Sequence, residues 1–327
     1  MSKRVFDCRF QSGVVIMPVS ALAPRQDSSL TFFLSLISGK FKPGKLWYDP
    51  EYRVKYLFRS LAWPVDTWKM VTTIVREPLM REILPVQHTL PSKIHRPYLY
   101  SGMSMAARTH AIISHYQYVK QLSSPRLHQA MLTPQGVELM NFSGKSGETF
   151  TVTLACTGRC EREGEVNLLF RRNGVQLAMV TFAVTVINGE KVAIVGGIQG
   201  AHRDTPHELI REATKSCYGL FPKRILMEAL TLICAATDIK KLEAVSDNGH
   251  IFRSLRYRLK KRSLFHASYN EFWETLNAQP LSDKLYQLPL SFVRKPLEEI
   301  ASKKRSEYRK RYELLDLMRE QFSQTIA

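Results

Sequence analysis

Cys156-Thr-Gly-Arg-Cys160 places two thiols four positions apart, and as thiolates such a pair could grip a soft metal. A structural zinc site needs four ligands, usually two such pairs, and no second Cys or His pair completes the set nearby. No metal is therefore expected. His110 and His115 lie on a predicted helix from Ser104 to Lys120, but five residues of helix turn their side chains about 140° apart. Arg108 and His115, seven apart, do share a face. With Tyr116, and with His250 added from further along, they form a candidate polar cluster lining a pocket. The chain has no Gly-Lys-Ser/Thr phosphate loop, no G-x-S-x-G elbow and no H-E-x-x-H. The common nucleoside-triphosphatase and hydrolase readings have no foothold. No catalytic residue can be named.

Phosphate chemistry has more support. A predicted strand, Val192–Ile198, carries Gly196-Gly197 and is followed by Gln199-Gly200. Further on, Cys217-Tyr-Gly219-Leu-Phe-Pro222-Lys223-Arg224 leads into a predicted helix. Proline at a helix start leaves first-turn N–H groups free at the positive end of the helix dipole, and Lys223 and Arg224 add charge. Gly196, Gly197, Gln199, Gly219, Lys223 and Asn248, the last from the turn after the next strand, are thus the candidate cofactor-binding residues.

The elements that must position these residues fall into four parts. Residues 1–27 carry Pro18 and Pro24 and no periodicity, and read as an irregular arm. Residues 28–140 read as helical. Leu30, Phe33, Leu34 and Ile37 repeat on one helix face, a second helix starts at Pro50, and 85–97 is a loop. The region 141–295 is a mixed α/β core built on an antiparallel meander over about 148–198. Asn173-Gly174 and Asn188-Gly189 supply its turns, the strongest short-range hairpin signal. Helices are expected at 207–218, 222–237, 250–262 and 269–276, with strands at 242–246 and 288–293. Residues 296–327 read as a basic amphipathic helix docking through Tyr308, Tyr312, Leu315, Met318 and Phe322. The fold class is α+β.

The chain has 327 residues, 47 of them Lys or Arg against 29 Asp or Glu, a net charge of +18. A hydrophobic share of 44% excludes a disordered chain. Five cysteines without framework spacing argue for a reducing compartment. No apolar run approaches the roughly 20 residues that span a bilayer, and charges break up any leader, so a cytoplasmic protein is expected. Six cations cluster in Arg253–Arg262 and six more in Lys303–Arg311. They suit an anionic membrane surface, and no nucleic-acid-binding module accompanies them.

The order meander, anion-binding helix, strand, helix resembles the GNAT superfamily of acyl-CoA N-acyltransferases. That resemblance implies acyl-CoA as cofactor. The superfamily's [Q/R]-x-x-G-x-[G/A] motif is absent, however, and Tyr257 stands two residues out of register with its later motif. Phe41-Lys-Pro-Gly-Lys-Leu-Trp47, Arg96-Pro-Tyr-Leu99, His115-Tyr116, Gly219-Leu-Phe-Pro-Lys223, Val245-Ser-Asp-Asn-Gly-His250 and Tyr269-Asn-Glu-Phe-Trp273 resemble the VirK/YbjX family. The resemblance implies a virulence-associated protein of Gram-negative bacteria. Its expected role is in envelope integrity and tolerance of cationic antimicrobial peptides, and the family supplies no catalytic residues. Two readings follow: an acyl-CoA-dependent transferase, or a non-enzymatic adaptor that binds the anionic inner-membrane surface and an envelope protein.

Overall fold

The computed structural model describes residues 28–253 and 269–327. The expected arm at 1–27 and the basic run beyond Arg253 lie outside the described residues.

The N-terminal part is helical, as its punctuation dictates. Helix α1 (Ser29–Ser38) starts where the Ser28 hydroxyl accepts from the Thr31 N–H, and Gly39 ends it in the left-handed region at φ 75°. Asp49 caps α2 (Pro50–Ala62), and Pro64 opens α3 (Pro64–Arg76), a helix the sequence reading did not resolve. Short helices α4 (Pro78–Glu82) and α5 (Leu90–Lys93) follow, the latter inside the segment expected to be loop. Helix α6 (Met105–Lys120), capped by Ser104, and α7 (Pro125–Ala130) complete this part.

One sheet follows, in the order β1-β2-β3-β4-β5-β6-β8-β7. Strands β2 (Thr149–Ala155), β3 (Val166–Arg172), β4 (Val175–Ile187) and β5 (Glu190–Gln199) form the expected meander. Positive φ angles at Asn173 and Gly174 (47° and 81°) and at Asn188 and Gly189 (51° and 81°) match the twist of the strands they join. An earlier strand, β1 (Val137–Ser143), extends the meander into the region read as helical. Helices α8 (His207–Ser216) and α9 (Pro222–Ala236) then lead to β6 (Lys241–Val245), which pairs parallel with β5. This is the one parallel pairing of the sheet among the described residues.

Beyond the undescribed segment come α10 (Tyr269–Glu274), β7 (Gln279–Pro280), β8 (Leu285–Leu288) and α11 (Ser302–Ile326). The expected strand over 288–293 is displaced to Leu285–Leu288, because Pro289 has no N–H to continue the ladder. The helix expected over 250–262 lies mostly outside the described residues, which show a 3-10 turn at Ile251–Arg253. The terminal helix starts at Ser302 after a separate 3-10 turn, and buries Leu314, Met318 and Phe322. Helix α9 packs on β3, β4 and β5, and α11 packs on β1 and α9.

Strand β4 is buried from Leu177 to Thr185 and outruns β3, whose ladder stops at Val166 opposite Phe182. Two histidines of α6 take over the unpaired edge. His115 Nδ1 accepts from the Val184 N–H at 3.2 Å, and His110 Nε2 lies 2.7 Å from the Val186 carbonyl.

Candidate ligand-binding site

Helix α9 begins without a side-chain cap. Phe221 occupies the N-cap position, Pro222 follows, and the N–H groups of Lys223 and Arg224 have no hydrogen-bond partner among the described residues. This bare helix start borders a cavity of about 720 Å³ between α9, α10, α11 and the segment before α11. Its apolar walls include Leu220, Phe221, Phe272, Phe292 and Leu315. Five cations line it, Lys223, Arg224, Arg294, Lys295 and Arg311, against the single carboxylate of Glu228.

These cations are not equally committed. Arg224 donates twice to Glu228, at 2.9 and 2.8 Å, and lies over the Phe292 ring. Arg294 forks onto Asp316 at 2.9 and 2.6 Å. Arg311 donates to the Tyr218 carbonyl at 2.8 Å and stacks on Tyr308 with no carboxylate in ion-pair range. Lys223 and Lys295 likewise have no acidic partner among the described residues. Burial alone lowers the Lys223 pKa, and its ammonium, 5.9 Å from the centre of the Phe272 ring, has no carboxylate to balance it. The left-handed pair Tyr218-Gly219, at φ 53° and 79°, turns the Tyr218 carbonyl toward Arg311. A Cβ at Gly219 would meet Arg311 Nη2 at 2.5 Å.

The other expected cofactor residues do not join Gly219 and Lys223. Gly196 and Gly197 lie under Glu163, where any Cβ would collide with its backbone and carboxylate, and Gln199 donates to the same carboxylate. Asn248 donates to Asp283 at 2.9 Å and accepts from Ser101 through its carbonyl. The glycine pair therefore makes room for a side chain of this protein, and the six residues form three separate groups.

The β5–β6 ladder runs over Val192–Val195 opposite Lys241–Ala244 and stops at Gly196, where β5 also bulges against β4. Beyond that point the strands part, and α10 fills the opening. The Tyr269 hydroxyl accepts from the Ile198 N–H at 3.3 Å, and Trp273 Nε1 donates to the Val245 carbonyl at 2.7 Å.

The expected polar cluster is also divided. Glu161, Glu163 and Glu165 alternate along the approach to β3, and each anchors a different group. Both oxygens of buried Glu165 accept from Lys93, at 2.7 and 2.8 Å, while Tyr98 and Tyr116 each donate to one at 2.7 Å. Burial, and then the charge of Glu165, holds both tyrosine hydroxyls well above their ordinary pKa. Glu163 faces His250 at 3.3 Å. Glu161 pairs with Arg96 at 3.3 Å, and although burial pushes its pKa up, Arg96 and Lys93 outweigh it and bring it down. His115 touches the Tyr116 ring, and burial with the charge of Lys93 lowers its pKa to about 3. Arg108 turns away to donate to the Ile94 carbonyl at 3.1 Å. Tyr116 and His250 thus serve separate carboxylates.

Cys156 is buried, its pKa pushed up to about 11 by desolvation, and its Sγ lies 3.4 Å from the Glu165 carbonyl. No metal-holding group of His, Cys, Asp and Glu occurs among the described residues. None of the described helices is long and apolar enough to cross a membrane.

Residues 45–324 match a family described as "Protein of unknown function (DUF535)". The chain is 39% identical over 297 residues to the Escherichia coli (strain K12) protein YbjX, covering 90% of each. The chain belongs to the VirK/YbjX family. A Haemophilus influenzae protein is 29% identical over 215 residues, covering 66% of this chain and 70% of its own length. A second from the same organism is 24% identical over 285 residues. The family match spans the helical part from α2 onward, the sheet and nearly all of α11, so the cavity and the Glu161–Glu165 segment both lie within it.

Proposed function

We propose that this VirK/YbjX family member binds an anionic amphiphile of the acyl-CoA class in the α9 cavity and serves envelope upkeep through that ligand. The observation that supports this most is the pairing of apolar walls with cations that have no acid to neutralise them. Phosphates suit Lys223, Arg311 and the free N–H groups of the first turn, where charge and dipole act together. An acyl chain suits Phe272, Phe292 and Leu315.

Transfer of the acyl group is the second reading, favoured by the parted ends of β5 and β6 and the bulge at Gly196. It requires Tyr269 and Trp273 to leave the opening, since a pantetheine arm has no free strand edge while Tyr269 holds the Ile198 N–H. Binding therefore stands first. A link to tolerance of cationic peptides rests on the family resemblance alone.

Isothermal titration with octanoyl-CoA, CoA and octanoate tests the reading. Octanoyl-CoA should bind at least tenfold more tightly than either fragment, because only it fills both halves of the cavity. No heat with octanoyl-CoA, or equal affinity for octanoate, would overturn it.

A further inference from the structure

The apolar side chains left on the surface are concentrated in one part of the fold. Of the sixteen large hydrophobic residues that stand exposed among those described, nine fall between Leu30 and Trp68. Val54, Phe58 and Leu61 repeat at i, i+4 and i+7 along the outer face of α2, with Phe58 and Leu61 both 66% exposed. That stripe runs into the α2–α3 corner, where Trp63, Val65 and Trp68 are 47, 78 and 49% exposed. Leu30 and Leu34 are exposed on α1, which packs on both helices. The opposite faces bury Tyr56, Met70, Val71 and Ile74, so the core does not need the outer stripe.

The stretch of chain that carries this apolar corner is basic. Residues 29–76 contain eight Lys or Arg and three Asp or Glu. Lys40, Lys42, Lys45, Lys55 and Lys69 are all exposed. Bulky aromatics exposed at a helix corner, on a helical region that also exposes lysines, suit a bilayer interface. There the rings sit at headgroup depth, the aliphatic residues reach the acyl boundary, and the lysines meet lipid phosphates. A protein partner would more often meet a surface with fewer lysines, since lysine is depleted in such interfaces.

We propose that the α1–α3 face docks on the surface of an anionic lipid bilayer, with the Leu61–Trp68 corner inserted at the interface. No residue of this face lines the α9 cavity, so the proposal does not depend on what that cavity holds.

The test is co-sedimentation of the full chain with vesicles of phosphatidylcholine containing 30% phosphatidylglycerol, and with phosphatidylcholine alone. The expected result is binding to the anionic vesicles, weakened but not abolished by salt, and reduced at least tenfold in Phe58→Ser/Leu61→Ser/Trp63→Ser/Val65→Ser. These side chains are exposed, and unchanged circular dichroism verifies that the variant folds. Vesicles with brominated acyl chains should quench the wild type, and quench Trp63→Phe/Trp68→Phe much less. Equal vesicle binding by the fourfold serine variant would overturn the proposal and assign attachment to the basic runs. So would no binding at all, or sedimentation equilibrium showing a dimer that the serine variant loses, which would give the face to a second copy.

Discussion

The Lys93–Glu165 cluster and the α9 cavity are both built from charged groups and aromatics, yet they are opposites in how those groups are satisfied. Glu165 receives a lysine and two tyrosine hydroxyls, and Lys93 also donates to Gln87, so nothing polar is left over. A buried ion pair closed in this way fixes geometry: it ties α5 and α6 to the start of β3. In the cavity, Lys223, Lys295 and Arg311 face apolar walls and make no ion pair among the described residues. A group left unpaired at a partly desolvated site is the one that gains from a ligand. Residue type does not separate the two regions; completeness of pairing does.

Breaking the closed cluster should have the largest effect. Glu165→Ala leaves the Lys93 ammonium and two hydroxyls buried without their acceptor, and should cost about 3–5 kcal/mol of folding stability in denaturant titration. A loss under 1 kcal/mol would show that the cluster does not hold the helical part to the sheet. Lowering pH attacks the same region next. His95 and His115 are buried, with pKa values lowered to about 4 and about 3, chiefly by desolvation. Unfolding lets both titrate near 6.5, so the unfolded state binds more protons and stability falls as pH drops from about 6.5 toward 4. Each histidine contributes roughly 1.4 kcal/mol per pH unit in that window. Denaturant midpoints at pH 7 and 4.5 measure this, and His95→Gln should flatten the slope by one proton.

The cavity should respond differently. Gly219→Ala puts a Cβ at φ 79° and against Arg311, costing about 1–2 kcal/mol and displacing a cation. Octanoyl-CoA affinity should fall with it, whereas a variant that lost only stability would sever Arg311 from the site. Lys223→Gln should change stability least, by about 0.5 kcal/mol or less, because it removes a half-buried charge that has no acidic partner among the described residues. Its expected effect is on affinity, by tenfold or more in titration.

Local rules made much of this legible in the sequence. Asn-Gly pairs announced the meander, Pro50 marked the start of α2, and Pro222-Lys223 marked a helix start that does border a cavity. The failures were long-range. Gly196-Gly197 read as candidate cofactor-binding residues because sequence cannot show that Glu163 occupies the space above them. Lys93 gave no local sign of burial, lying 72 residues from its partner Glu165. Arg294 and Arg311 enter the cavity only because α11 returns onto α9.

Ligand-dependent thermal stability of the wild type and Lys223→Gln tests the contrast most directly. A ligand at a hundredfold excess over its Kd stabilises the folded state by about 2.7 kcal/mol. With octanoyl-CoA at that concentration, the wild type should gain a clear rise in Tm. Lys223→Gln should match the wild-type Tm without ligand and gain much less with it. Equal shifts in the two proteins, or none in either, would contradict the assignment of the unpaired cations to ligand binding.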